Sequence, residues 1–136
     1  MNRTVKRILL AESNSNDVEL MLDALGRHQL AGAVDIARDG VEAMDYLYAR
    51  GQYELREKGN PALILLDFIM PRLNGFEVLK QVKADPGLRM IPVLILTSSS
   101  HERDMVEKYS EGTKTSAVKA VHFQELVGAV KDLGLF

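Results

Sequence analysis

The chain has 136 residues, of which 46% are hydrophobic and 26% are charged, so it is long enough to form one globular domain with a substantial core. Its formal net charge of -2 gives no electrostatic basis for binding nucleic acid or an anionic membrane. It has no cysteine, which excludes disulfides and thiolate metal sites. The only early apolar run, residues 8–11, is too short for a signal-peptide core or a membrane span, so we expect a cytoplasmic protein.

Short apolar runs and helical stripes alternate along the first half of the chain. Residues 5–11 predict a buried strand, and residues 33–37 predict a weaker second one. Each is followed by apolar residues at helical spacing: Val18, Met21, Leu22 and Leu25 after the first, and Val41, Met44, Leu47 and Tyr48 after the second. The polar segment 51–60 is predicted to be a surface loop or a frayed helix end.

The second half repeats this alternation. Four apolar residues, 63–66, run directly into Asp67 and predict a third strand that is buried on both faces. Asn74 and Glu77 have the spacing of a capping box at the start of the third helix. The remaining predicted elements are a strand over 91–96, a short polar helix around 105–109, a small strand over 115–118 and a last helix over 123–130. Strand and helix thus alternate five times, which predicts a parallel sheet in a single domain covering residues 1–136.

Polar residues follow the predicted strands: Glu12 with Ser13 after the first, Asp67 after the third, Thr97 after the fourth and Lys119 after the fifth. Because the carboxyl ends of parallel strands lie on one edge of a sheet, we expect these groups to converge. Carboxylates can hold a hard divalent cation, while a hydroxyl and an ammonium can bind phosphoryl oxygens. Asp67 would then be the nucleophile that forms an acyl phosphate. Each residue alone has an ordinary explanation as a helix-terminal, strand-end or solvated side chain.

These motifs resemble those of a response-regulator receiver domain. Residues 67–75, DFIMPRLNG, match the family pattern of Asp, two variable residues, Met-Pro, three more residues and Gly. The segments 8–12, 94–98 and 112–119 follow in the expected order, so the resemblance covers nearly the whole chain. It implies a flavodoxin-like (βα)5 fold with strand order 2-1-3-4-5. Two further segments are similar to single-domain regulators associated with bacterial phytochrome kinases.

The resemblance also implies roles for individual residues. Asp67 would accept a phosphoryl group from a phosphohistidine on a sensor histidine kinase or a phosphotransfer protein. Mg²⁺ would be held by Asp67, by the backbone carbonyl of Ile69 and by the acid pair that begins with Glu12. Thr97 would contact a phosphoryl oxygen, and Lys119 would pair with the phosphoryl group. Output would pass through a protein partner or a homodimer, with no nucleic acid or membrane involved.

Three positions depart from the family pattern. Ser13 replaces the second acid of the pair, and since a hydroxyl is a poorer Mg²⁺ ligand than a carboxylate, we expect weak metal binding. Ala120 follows Lys119 where the family has a proline in a cis peptide. Without proline a cis bond costs roughly 2.5–4 kcal/mol, so this bond is either trans with a different loop or strained. Ser116 stands where the family has its switching aromatic residue.

Two functions from different classes remain open. The first is a receiver that is phosphorylated on Asp67 and signals through protein–protein contacts. The second is a pseudo-receiver, which would act as an interaction module without phosphorylation. An enzyme is not expected beyond self-phosphorylation and dephosphorylation. A dehalogenase-type phosphohydrolase needs an acid at the position of Ile69, and a dinucleotide site needs glycines after the first strand, although flavin binding stays open.

Overall fold

The computed structural model describes residues 4–112 and 118–134. They form a five-stranded parallel sheet with the order β2-β1-β3-β4-β5, which confirms the predicted flavodoxin-like architecture. The strands are β1 (Thr4–Ala11), β2 (Val34–Ala37), β3 (Asn60–Asp67), β4 (Val93–Leu96) and β5 (Val118–Val121). The helices are α1 (Ser15–Gly26), α2 (Gly40–Leu47), α3 (Gly75–Ala84), α4 (Ser100–Gly112) and α5 (Leu126–Asp132). No helix in this part of the chain is long and apolar enough to cross a membrane.

The central strand β3 is buried on both of its faces. Ile64 and Leu66 pack into the core formed with α2, α3 and α4, while Leu63 and Leu65 pack into the core formed with α1 and α5. All four side chains are fully buried, and burial of each such side chain stabilises the fold by about 1.5–3 kcal/mol. The continuous apolar run is therefore explained by two helical layers that cover both sides of one strand.

Short polar side chains begin the helices that follow β1, β2 and β3. Asn14 accepts a hydrogen bond from the Asp17 N–H at 3.1 Å, and Asp39 caps α2 in the same way. At α3 the predicted capping box is present: the Asn74 side chain accepts from the Glu77 N–H at 2.9 Å, and the Glu77 carboxylate accepts from the Asn74 N–H at 3.2 Å. These caps start each helix just beyond the carboxyl edge of the sheet.

The predicted end of the fifth strand is wrong. The strand is expected over residues 115–118 with Lys119 behind it, but β5 continues through the lysine to Val121. Residues 115–117 of the predicted strand lie outside the described residues. Ala120 and Val121 are both buried, on opposite faces of the sheet, so strand pairing extends past Lys119. The Lys119–Ala120 peptide is trans, because the described residues contain no cis peptide bond. Ser116 lies outside the described residues.

The helix α4 is longer than the short helix that the sequence predicts. It spans 13 residues, and its one fully buried side chain is Val106. Met105 and Tyr109 are partly buried against the same core. The sparse apolar content made this helix look short, although its polar residues continue the helix on the solvent side.

Candidate functional site

A cavity of about 220 Å³ opens at the carboxyl edge of the sheet. Polar and apolar side chains from five segments line it: Glu12, Asp17, Leu20, Met21, Asp67, Leu96, Thr97, Ser98 and Phe123. The cavity lies where the predicted convergence of strand ends was expected. Three of the residues that the sequence singled out, Glu12, Asp67 and Thr97, are brought together here.

Glu12 is the most deeply buried acid of the cavity, with a relative exposure of 1%. Its backbone N–H donates to the Ala37 carbonyl at 2.9 Å, which fixes the residue at the end of β1. No donor of the described residues reaches its Oε2 atom. Burial, followed by hydrogen bonding with the carboxyl groups of Asp67 and Asp17, raises the pKa of Glu12 to about 9. Without a bound cation, Glu12 therefore holds its proton to a higher pH than an ordinary glutamic acid.

Asp67 ends β3 and lies beside Leu96 in the sheet register. Its Oδ1 atom accepts a hydrogen bond from the Ile69 N–H at 3.3 Å. Its backbone carbonyl packs against Gly75, where a Cβ atom would lie only 2.1 Å from the carbonyl oxygen. The first residue of α3 must therefore be glycine for the chain to return this close to Asp67.

An ion pair holds the loop between β3 and α3 against the start of α2. Arg72, which has a positive φ of 66°, donates from Nε and Nη2 to the two carboxylate oxygens of Asp39 at 2.8 and 3.1 Å. Burial opposes ionisation of Asp39, but the bonds from Arg72 and from the start of α2 outweigh it and lower its pKa. Gly40 provides a second close approach, because a Cβ atom there would lie 1.9 Å from the Leu73 carbonyl oxygen.

Thr97 and Ser98 form the opposite wall of the cavity. Thr97 is 5% exposed, and its N–H donates to the Val121 carbonyl at 3.0 Å. Its Oγ1 atom has no hydrogen-bond partner among the described residues. The Ser98 N–H donates to the Glu102 carboxylate at 2.9 Å, so the first turn of α4 is tied to this wall. A buried hydroxyl without a partner is unfavourable, which indicates that a ligand group completes the site.

Three predicted site residues do not line the cavity. Ser13 is exposed and does not line the cavity. The side chain of Ile69 is 62% exposed, and its N–H contacts Asp67. Lys119 is exposed, lies opposite Leu94 in the β4–β5 register and does not line the cavity. Within residues 4–112 and 118–134 it forms no ion pair with Asp67.

The oxygen donors of the cavity match the ligands that a hard divalent cation prefers. Glu12 and Asp67 supply carboxylates, and the buried Glu12 Oε2 atom lacks any other partner. The described residues contain no ready-made cluster of three His, Asp or Glu side chains that could hold a metal ion. The donor set is therefore of the type that suits Mg²⁺ or Mn²⁺, and Glu12 and Asp67 are the carboxylates that would hold the ion.

Asp17 is the cavity residue that the sequence analysis missed. It lies in the first turn of α1, where an acid is ordinarily explained by the helix dipole. Its proximity to Glu12 depends on how α1 packs on β1, and local sequence patterns do not predict that packing.

Comparison with known proteins agrees with this geometry. Residues 8–131 match the family model of the response regulator receiver domain. A solved structure of the bacteriophytochrome response regulator RtBRR is 47% identical, with a TM-score of 0.80, over 100% of this chain and 80% of that chain. The response regulator Rcp1 of Synechocystis sp. is 34% identical over 96% of this chain and 88% of its own length.

Two solved structures report relevant states of relatives. One is the Mn(2+)-bound form of Rcp1, with a TM-score of 0.71 and 34% identity over 97% of this chain and 94% of that chain. The other is the phosphorylated cyanobacterial phytochrome response regulator RcpA, with a TM-score of 0.71 and 37% identity over 94% of this chain and 90% of that chain. Receiver domains are phosphorylatable signalling modules that bind divalent metal and interact with histidine kinases or phosphotransfer proteins. The chain belongs to the receiver-domain family of two-component response regulators.

Proposed function

We propose that Asp67 accepts a phosphoryl group from a phosphohistidine of a sensor histidine kinase or phosphotransfer protein. The observation that carries this proposal is the position of Asp67 in a cavity with two buried oxygen atoms that lack partners, Glu12 Oε2 and Thr97 Oγ1. The phosphorylated state of the related RcpA supports it. We also propose that residues 1–136 form a single receiver domain that signals through protein–protein contacts, with no other turnover.

The transfer is a displacement at phosphorus. An Asp67 carboxylate oxygen bonds to phosphorus while the phosphorus–nitrogen bond to histidine breaks, and the imidazole nitrogen keeps the bonding electrons and takes up a proton. Glu12, Asp67 and the Ile69 carbonyl would hold a divalent cation, whose charge offsets the repulsion between the carboxylate and the phosphoryl group. The Thr97 hydroxyl donates to a phosphoryl oxygen and so gains the partner it lacks. Lys119, which lies beside Leu94, has no assigned part.

Incubation with acetyl phosphate and MgCl₂, followed by intact-protein mass spectrometry, tests the proposal. We expect a mass increase of one phosphoryl group in the wild type and in Asp132→Asn, which removes an exposed carboxylate of α5. Asp67→Asn should show no increase. The proposal fails if the wild type stays unmodified under conditions that label a reference receiver, or if Asp67→Asn is labelled as well as the wild type.

The alternative, a phosphorylation-independent interaction module, is not favoured. A domain that never binds a phosphoryl group or a cation gains nothing from burying Glu12 against two other carboxyl groups, or from burying the Thr97 Oγ1 atom without a partner, because both lower stability. An unlabelled wild type in the acetyl phosphate experiment would revive this alternative.

A further inference from the structure

A second acid near Glu12 lines the cavity, although it is not the residue that follows Glu12 in the sequence. The residue after Glu12 is an exposed serine, so β1 contributes one carboxylate to the cavity. Asp17, five positions after Glu12, lines the same cavity, and its carboxyl group neighbours that of Glu12. Asn14 fixes this turn, because its side chain accepts the Asp17 N–H at 3.1 Å.

We propose that Asp17 replaces the missing second acid and helps bind the divalent cation, by accepting a hydrogen bond from a cation-bound water. The presence of a cation in the cavity rests on the proposed function, whereas the role of Asp17 in binding it goes beyond that function. Because the described residues contain no preformed cluster of three acidic or histidine ligands, the proposal places a water between Asp17 and the cation. Mg²⁺ keeps several waters when it binds to carboxylates, so an acid one shell away still contributes.

An independent observation indicates that this cavity takes a ligand. Glu12 Oε2 and Thr97 Oγ1 belong to side chains that are 1% and 5% exposed, both residues line the cavity, and neither atom has a partner in the described part of the chain. A role limited to the helix dipole would not require Asp17 to line the cavity beside these two residues. Such a role would also change the stability of α1 without changing the affinity for a cation.

The test is a titration of the unphosphorylated full chain with Mn²⁺, followed by electron paramagnetic resonance of the free ion. Asp17→Asn keeps the size of the side chain and removes its charge. We expect it to weaken Mn²⁺ binding by about tenfold or more, within the range of about 10–100-fold known for outer-shell partners. Glu19→Gln removes one charge from the exposed side of the same helix and should stay within about twofold of the wild type, because exposed charges are screened.

A rescue experiment separates cation binding from a structural role. Asp17→Glu keeps the carboxylate and should bind Mn²⁺ more tightly than Asp17→Asn, because it can still accept a hydrogen bond from a cation-bound water. Thermal melts in EDTA check that each variant folds, and the comparison of Asp17→Glu with the wild type stands even if Asp17→Asn is unstable. The inference is overturned if Asp17→Asn binds Mn²⁺ as Glu19→Gln does, or if Asp17→Glu binds it as weakly as a variant without the charge.

The two proposals fail separately. If the wild type is labelled by acetyl phosphate and Mn²⁺ affinity does not depend on Asp17, only the inference about Asp17 falls. If Mn²⁺ affinity depends on Asp17 but Asp67 is never labelled, the cation site stands and the proposed phosphoryl transfer falls.

Discussion

The close approach of Gly75 to Asp67 makes Gly75→Ala a sharp test of how the fold positions the site. The new Cβ atom would lie 2.1 Å from the Asp67 carbonyl oxygen, 2.9 Å from its carbonyl carbon and 3.0 Å from the Phe68 Cα atom. The oxygen must move by about 1.3 Å to reach the 3.4 Å at which ordinary contact begins. All three neighbours are backbone atoms, so no side chain can rotate away. We expect a loss of about 3 kcal/mol, at the upper end of overpacking costs, and a melting temperature lower by roughly 10 °C.

Gly128→Ala is the matched control for this substitution. Gly128 lies in α5 with no atom within 4 Å of the added Cβ, so alanine there should stabilise the protein by about 0.5–1 kcal/mol through helix propensity. Urea unfolding followed by circular dichroism measures both variants. Acetyl phosphate labelling should slow in Gly75→Ala, because the Asp67 backbone moves. The reasoning is refuted if Gly75→Ala unfolds at the urea concentration of the wild type.

Three further predictions concern buried polar groups. Thr97→Val removes a hydroxyl that has no partner in the described residues. It should therefore raise the free energy of unfolding, measured by urea titration, by about 1 kcal/mol, and it should slow the labelling of Asp67. A variant less stable than the wild type would contradict this prediction. For Glu12, the raised pKa means that the folded state binds the proton more tightly. In EDTA, wild-type stability should therefore fall as the pH rises from about 4.5 to about 9, and Glu12→Gln should lose this dependence; parallel pH profiles for the two proteins would count against it. For Lys83, whose ammonium donates to the Arg89 and Ile91 carbonyls at 2.9 Å each, burial lowers the pKa to about 8 from 10.5. The unfolded state binds more protons between these two pH values, so the stability of the wild type rises with pH there. The difference in stability between the wild type and Lys83→Met should therefore widen through that interval. A difference that stays constant would refute the lowered pKa of Lys83.

The parts of the fold that the sequence predicts well are those with a dense local signal. The run of residues 63–66 has apolar side chains for both faces of β3, and Asn74 with Glu77 has the spacing of a capping box; both features appear in the structure. The fifth strand carries a weaker signal, because Lys119 interrupts its short apolar run. The sequence pattern therefore predicts that the strand ends before the lysine, whereas pairing with β4 continues through Val121.

The candidate site shows a different limit of sequence reasoning. Glu12, Asp67 and Thr97 could be placed because each ends a strand of a parallel sheet. The family resemblance places Ser13 in the acid pair with Glu12, yet Ser13 is exposed and does not line the cavity. Asp17 reaches the cavity through the packing of α1, which depends on contacts distant in sequence.

The ion pair between Asp39 and Arg72 is equally invisible to local patterns. Its two residues are 33 positions apart, and each has an ordinary local explanation as a helix cap or a loop arginine. Only the structure shows that they join the loops after β2 and β3.

Because α4 is sparsely packed, we expect it to unfold locally at a lower free energy than α3. Five residues of α3 are buried, whereas in α4 the buried residue is Val106. Local opening free energies follow buried apolar contact, so amide hydrogens of α4 should exchange with solvent faster than those of α3. The Ser98–Glu102 hydrogen bond joins the cavity wall to this loosely held helix. Any group that competes for the Ser98 N–H would therefore release a contact of the less tightly packed helix, α4, rather than of α3.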